Sequence, residues 1–126
     1  MKKKTDRKKL IEKLDKIFSL YIRFRDNGVC YTCGKRGDIK NMQAGHYVSR
    51  SCYALRWDET NVHCQCYSCN VCKHGDLITY RERLIEDYGD ATVEQIEAQR
   101  HDTVKWTIDE LQELYDYYQK ELDKLR

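Results

Sequence analysis

Two Cys-x-x-Cys pairs, Cys30/Cys33 and Cys66/Cys69, stand with 32 residues between them in a chain of 126. No other feature limits the fold so tightly. Each pair offers two thiolates from one tight turn, and four thiolates close a tetrahedral shell around Zn²⁺ with no position left for substrate. The spacing therefore predicts a structural zinc site that ties the segment after residue 29 to the segment after residue 65. All seven cysteines fall between Cys30 and Cys72. The count is odd, and no apolar stretch of the kind a secretory signal needs follows the lysine-rich start. Metal thiolates are therefore expected in place of a disulfide framework. Cys52, Cys64, Cys72 and His63 are left over, with free thiols the simplest reading of the three cysteines.

The flanks of the cysteine-rich centre read as helices. Leu10, Ile11, Leu14, Ile17, Phe18, Tyr21 and Ile22 recur at helical spacing, which predicts a helix from about residue 5 to 26, stopped by Asn27-Gly28. Helical periodicity then vanishes until Cys69. The stretch holds a zinc knuckle at Cys30–Cys33 and a hairpin from residues near 40–47 and 61–65. A helix is expected to open near Cys69 and run to about Tyr88, with Gly75 a weak point inside it and Gly89 closing it. Thr92-x-x-Gln95 and Thr107-x-x-Glu110 both have capping-box form and predict two further helices. The second carries a stripe of Ile108, Leu111, Leu114, Tyr115, Tyr118, Leu122 and Leu125, for which core packing is the plain expectation. The fold class is thus α+β and mostly helical, a single domain over 1–126. Its parts are an N-terminal helix (1–28), a zinc-stapled ββα core (29–88) and C-terminal helices (90–126). No run of eighteen apolar residues is present, so no membrane helix is expected.

Between the two pairs lie Gly45-His46-Tyr47 and Asn61-Val62-His63-Cys64-Gln65, and Asn70 follows the last cysteine directly. Asn61 is fifteen residues after His46, and Asn70 nine further on. The pattern resembles the HNH nuclease motif, in which a hairpin and one helix grip a catalytic metal. There the Asn lies five residues before a Cys-x-x-Cys and the third letter follows its second cysteine, as here, although the third letter is Asn rather than His. Phosphodiester hydrolysis needs a deprotonated water, and a neutral imidazole takes that proton near neutral pH. His46 is the expected general base, with the Asn61 side-chain oxygen accepting from its other ring nitrogen. Asn70 supplies an oxygen ligand suited to Mg²⁺ or Mn²⁺. HNH enzymes usually carry Asp or His directly before the base, where this chain has Gly45. His74, four residues after Asn70 on an expected helix face, is the preferred second ligand; Gln43 and Asp58 are alternatives.

The formal net charge is only +2, but six of the first nine residues are Lys or Arg. Lys35, Arg36, Lys40, Arg50, Arg56 and Lys73 add a basic centre, so a local face for DNA is compatible with a near-neutral whole. Lys73, near an expected helix start, and Arg50 and Arg56, flanking the inter-strand loop, are the candidate phosphate contacts. For each arginine a surface salt bridge is an equal expectation.

A closer resemblance lies in Ala44-Gly45-His46-Tyr47, Leu55-Arg56-Trp57, Asn61-Val62-His63-Cys64-Gln65-Cys66, Cys69-Asn70, Tyr80-Arg81-x-x-Leu84 and Trp106-Thr107-Ile108. These stretches look like the NinG (Rap) recombination proteins of lambdoid phages, and the likeness runs from about residue 10 to the C-terminus. It implies a phage-encoded nuclease acting on D-loops or Holliday junctions in the bacterial cytoplasm. A homodimer would match the two-fold symmetry of a junction. The competing expectations are a non-catalytic zinc module that only binds DNA, and an HNH homing or restriction-type nuclease.

Overall fold

The computed structural model describes residues 5–126, so the lysines at positions 2–4 lie outside the described residues. The expected first helix, α1, spans Asp6–Arg25. The Thr5 hydroxyl accepts from the Lys8 amide, an N-cap interaction that satisfies one of the orphan donors of the first turn. The helix ends where Asn27 and Gly28 both take positive φ (54° and 68°), a conformation an L side chain adopts only with strain.

Beyond a knuckle and a short 3₁₀ turn at Ile39–Asn41 come strands β1 (Gln43–His46) and β2 (Val62–Gln65). They pair antiparallel with Gln43 opposite Gln65, Ala44 opposite Cys64, Gly45 opposite His63 and His46 opposite Val62. The predicted hairpin is present, shorter than expected.

The helix expected from Cys69 to Tyr88 is not continuous. A five-residue π-helical turn, Ser68–Cys72, carries Cys69, and the regular helix α2 begins only at Leu77 and ends at Tyr88. Between them His74, Gly75 and Asp76 all have positive φ (52°, 92° and 49°), and three such residues in succession cannot continue a right-handed helix. The Gly75 carbonyl is held by the Gln65 side-chain amide at 2.9 Å and its N–H bonds to Cys69 O at 2.9 Å. Gly75 is therefore a built corner.

Helix α3, Asp90–Ala98, starts straight after Gly89, whose φ of 88° closes α2 and opens α3. Thr92 consequently lies inside the first turn and does not cap it, contrary to expectation. The second capping box is formed: Thr107 accepts from the Glu110 amide, and Glu110 accepts from the Thr107 amide, at the head of α4 (Ile108–Leu125). No helix among the described residues is long and apolar enough to cross a membrane.

Apolar burial organises these elements around the hairpin. Leu10, Leu14, Phe18 and Ile22 of α1 pack on Leu111, Tyr118 and Leu122 of α4, with Trp57 and Val62 closing the cluster. Each such side chain stabilises the fold by about 1.5–3 kcal/mol when fully buried. Trp57, from the Leu55-Arg56-Trp57 stretch, is core. On the other side Tyr47, Val48, Leu55, Tyr80, Leu84, Val93 and Ile96 form a second cluster that joins α2 and α3 to the inter-strand loop. Of the C-terminal stripe Leu111, Tyr118 and Leu122 are buried as expected, Leu114 and Tyr115 are half-buried, and Ile108 and Leu125 are exposed. The fold is a mostly helical α+β structure with a two-stranded sheet.

Candidate active site

The four paired cysteines converge. The sulfurs of Cys30, Cys33, Cys66 and Cys69 all lie within 4.8 Å of one another, and Cys33 Sγ is 3.7 Å from Cys66 Sγ. Zn–S bonds of about 2.3 Å place tetrahedral sulfurs roughly 3.8 Å apart, so the cluster has the size and the soft donors that fit Zn²⁺. Both turns are built for it. Gly34, with φ 78°, donates its N–H to Cys30 O at 2.9 Å, and the Cys69 amide points at Cys66 Sγ at 3.5 Å. The Tyr31 amide bonds Cys64 O at 2.8 Å and docks the knuckle on β2. Burial pushes the Cys30 thiol up, but the N–H groups of Cys66, Cys33 and Thr32 and the Thr32 hydroxyl more than offset it, leaving it at about 6. Burial raises Cys69 to about 12 and also raises Cys33. Four thiolates so close ionise together only with a dication among them, and such a metal would pin the hairpin to the π-turn.

His46 and Asn70 line one cavity of about 320 Å³ together with Asp15, Ser19, Ser49 and Arg50. Strand β1 delivers the histidine and the π-turn delivers the asparagine. His46 Nε2 lies 2.9 Å from the carbonyl oxygen of Arg56. A carbonyl only accepts, so Nε2 carries the proton and Nδ1 keeps its lone pair. Burial lowers the His46 pKa below its ordinary value. The Arg56 carbonyl and Asp15 raise it, and the Arg50 and Arg56 guanidinium groups lower it further. The net result is an imidazole neutral at neutral pH, held in one tautomer. The Asn70 amide donates to Gln43 Oε1 at 2.6 Å, which leaves its own oxygen free to face a ligand.

Several expectations need correction. Asn61 does not touch His46. It is 0% exposed, its Nδ2 donates to Val48 O and Leu55 O, and its Oδ1 accepts from the Val48 amide. A buried amide with three backbone bonds fixes the inter-strand loop, and the contact that orients the His46 ring comes from Arg56 O. His74 does not line the cavity with Asn70. The left-handed run that begins at His74 breaks the helix face they were to share, and the exposed side chain lies outside the cavity. Asp58 Oδ1 accepts from the Thr60 and Asn61 amides, and Asp58 does not line the His46 cavity.

Of the three basic residues, only Arg50 lines the His46 cavity with its side chain exposed. Arg56 is internal. Its Nε and Nη2 grip Asp15 at 3.0 and 2.5 Å, its Nη1 bonds Arg50 O, and its guanidinium lies over the Tyr53 and Trp57 rings. This is the salt-bridge alternative, and it leaves the Arg56 guanidinium no longer a candidate for phosphate contact. Lys73 is exposed but sits at the C-terminal end of the π-turn, beside the cleft over Cys33, Cys66 and Cys69. The helix-N-terminus argument for phosphate at Lys73 therefore fails.

Three features escaped the sequence reading. Asp15 of α1 accepts from Arg56 twice and from Trp57 Nε1 at 3.0 Å, and so anchors the loop whose carbonyl holds His46. An acid lodged between buried Leu14 and nearby Phe18 was the available signal. Tyr80 donates at 2.7 Å to the carbonyl of Gly45, the peptide that carries His46. His63 supports Tyr80 from behind. With the Tyr80 proton committed to Gly45, His63 Nδ1–H donates to the Tyr80 oxygen at 3.3 Å, and Nε2 accepts from the Tyr88 hydroxyl at 3.0 Å. Burial, reinforced by Arg25, lowers the His63 pKa to about 4. His63 is thus a neutral packed ring, stacked on Tyr31 at 3.9 Å.

Comparison with known proteins adds ancestry to this geometry. The family model described as Bacteriophage Lambda NinG protein matches residues 1–126. "Protein ninG" of Escherichia phage 933W is 36% identical over 118 residues, covering 92% of this chain and 58% of the relative. The proteins of the same name from Salmonella phage P22 and Escherichia phage lambda are 37% and 36% identical over 118 residues, each covered to 57%. The chain thus spans somewhat over half the length of the curated relatives it matches. No solved structure matches it.

Proposed function

The chain belongs to the NinG family of phage proteins, and from that premise we propose that it is a divalent-metal-dependent DNA endonuclease of the HNH type, cutting branched recombination intermediates in the bacterial host cell. The observation that carries the reading is His46: a neutral imidazole with one nitrogen tied to Arg56 O and the other free, in a polar cavity shared with Asn70.

The residues act in sequence. Arg56 O holds Nε2–H, so Nδ1 is the nitrogen that takes a proton from water. The depressed pKa keeps Nδ1 unprotonated at neutral pH. Asn70, turned by Gln43, offers its oxygen to Mg²⁺ or Mn²⁺. A bound divalent cation supplies charge stabilisation to the phosphate and the departing 3′ oxygen. Arg50 at the rim attracts the backbone. The zinc cluster holds the hairpin and the π-turn in register, and with them His46 and Asn70.

The test is incubation of zinc-loaded protein with labelled linear, forked and four-way DNA in Mg²⁺ or Mn²⁺. Strand scission of the forked or four-way substrates is expected. Binding to DNA with no scission under either cation would support the second reading, a zinc module that only binds DNA. The lack of a side chain at Gly45, before the base, is the observation that favours that second reading.

A further inference from the structure

The position before the base cannot carry a metal ligand in this fold. A Cβ on Gly45 would fall 1.8 Å from Gln65 Oε1, so the space of a side chain at 45 is already filled. Gln65 is fully buried and its Nε2 is tied to Thr32 Oγ1 and Gly75 O, so the obstruction is fixed. A second ligand has to come from another element.

We infer that Asp15, on α1, is that ligand. This rests on the reading of the His46 cavity as a metal-dependent site. Asp15 is the one carboxylate among the residues lining the cavity with His46 and Asn70. Its Oδ1 is saturated by Arg56 Nε and Trp57 Nε1, while among the described residues Oδ2 accepts only Arg56 Nη2 and keeps a lone pair. Asn70 Oδ1 is presented in the same way, with its amide nitrogen held by Gln43. Two oxygen donors, each aimed by a hydrogen-bonded neighbour, and a base nitrogen aimed by Arg56 O share one small polar cavity. Outer contacts of this kind orient metal ligands. Oxygen donors suit a hard cation, Mg²⁺ or Mn²⁺, and disfavour Zn²⁺ beside the sulfur site. The Arg56 guanidinium offsets the Asp15 charge, so the cation binds weakly to the free protein and is completed by substrate phosphate, as Mg²⁺ sites commonly are.

The assignment is tested without cleavage. Mn²⁺ is titrated into the zinc-loaded full chain and free Mn²⁺ is read by electron paramagnetic resonance, with zinc content and a thermal melt recorded alongside. Asp15→Asn is expected to weaken Mn²⁺ binding at least about tenfold. Arg56→Met breaks the same ion pair from the other side but removes a positive charge, and is expected to tighten binding. Wild-type affinity in Asp15→Asn, equal losses in both variants, or no Mn²⁺ binding by the unmodified protein would each overturn the assignment. Should Asp15→Asn fail to fold, the wild-type protein still decides. Substoichiometric Mn²⁺ should broaden the indole N–H signal of Trp57, bonded to Asp15, well before that of Trp106, bonded to Tyr53 O. Equal broadening, or none, would refute it. Asp15-dependent Mn²⁺ binding in a protein that never cuts DNA would leave this inference standing and remove the nuclease reading. Cleavage with unaltered Mn²⁺ affinity in Asp15→Asn would do the reverse.

Discussion

Gly45→Ala adds one methyl group at a position that has no room for it. The new Cβ would lie 1.8 Å from Gln65 Oε1, 2.6 Å from its Cδ and 3.0 Å from its Cγ. The Gln65 side chain must therefore leave or the strands must part. Expelling the amide breaks its bonds to Thr32 Oγ1 (3.1 Å) and Gly75 O (2.9 Å). Those two bonds contribute about 1 kcal/mol each, and a buried carbonyl left unpaired costs about 1–3 kcal/mol. Residual overpacking adds about 1–3 kcal/mol. Releasing Gln65 Oε1, which is buried without a hydrogen-bond partner, offsets about 1–3 kcal/mol of this. At the middle of these ranges the expected loss is about 4 kcal/mol, a large part of the roughly 5–15 kcal/mol that stabilises an ordinary domain. Urea unfolding at saturating zinc, followed by tryptophan fluorescence, measures it. The double variant Gly45→Ala/Gln65→Ala supplies the decisive comparison, because the shortened residue 65 vacates the space the methyl needs. The pair should be no less stable than Gln65→Ala alone, giving a coupling energy as large as the Gly45→Ala loss itself, about 4 kcal/mol. A Gly45→Ala variant within about 1 kcal/mol of wild type, or additive effects in the double variant, would refute the steric argument.

Four further outcomes follow from the same contacts. Because the folded pKa of His46 is depressed and its neutral form is the reactive one, single-turnover cleavage should fall as pH drops through a midpoint below about 6.5; a midpoint above that value contradicts the assignment. His63 is buried neutral, so the unfolded chain takes up its proton first as pH falls. Stability should decline between about 6.5 and about 4, by ~3 kcal/mol in total, and urea unfolding of His63→Phe against wild type across that window should show the difference in slope. Cys66→Ser should abolish the expected one zinc per chain and unfold the hairpin region, read by metal analysis and amide exchange; full zinc retention would argue against the four-sulfur site. Thr107→Ala removes half of the capping box on α4 and should cost about 1 kcal/mol in urea unfolding without affecting zinc content.

Most of what could be read from the sequence was local. The Cys-x-x-Cys pairs, the stripe of α1 and the Thr107 box each depend on residues a few positions apart, and each appears in the structure; the hairpin around His46 also appears, although its strands lie fifteen residues apart. The break in the helix expected over 69–88 rests on three left-handed residues, two of them non-glycine, which composition does not mark. The site was legible in its members and not in their wiring. His46 and Asn70 share a cavity, but the partner of His46 is a backbone carbonyl, which leaves no trace in side-chain pattern. Asn61 was recognised by spacing and given the wrong task, because its three bonds run to a loop whose path only the fold defines. Asp15 lies 31 positions before His46 and is joined to it through Arg56. The Gly45–Gln65 contact likewise spans the hairpin diagonally and looks in the sequence like an unexplained gap in a motif.

The central claim is that His46 draws a proton from water to cut DNA. Its most direct test is the single-turnover rate on a labelled four-way junction in Mn²⁺, comparing wild type with His46→Ala at equal zinc content and equal DNA affinity. The account predicts scission by the wild type and a loss of at least about a hundredfold in the variant. Equal rates in the two proteins, or no scission by either, would contradict it.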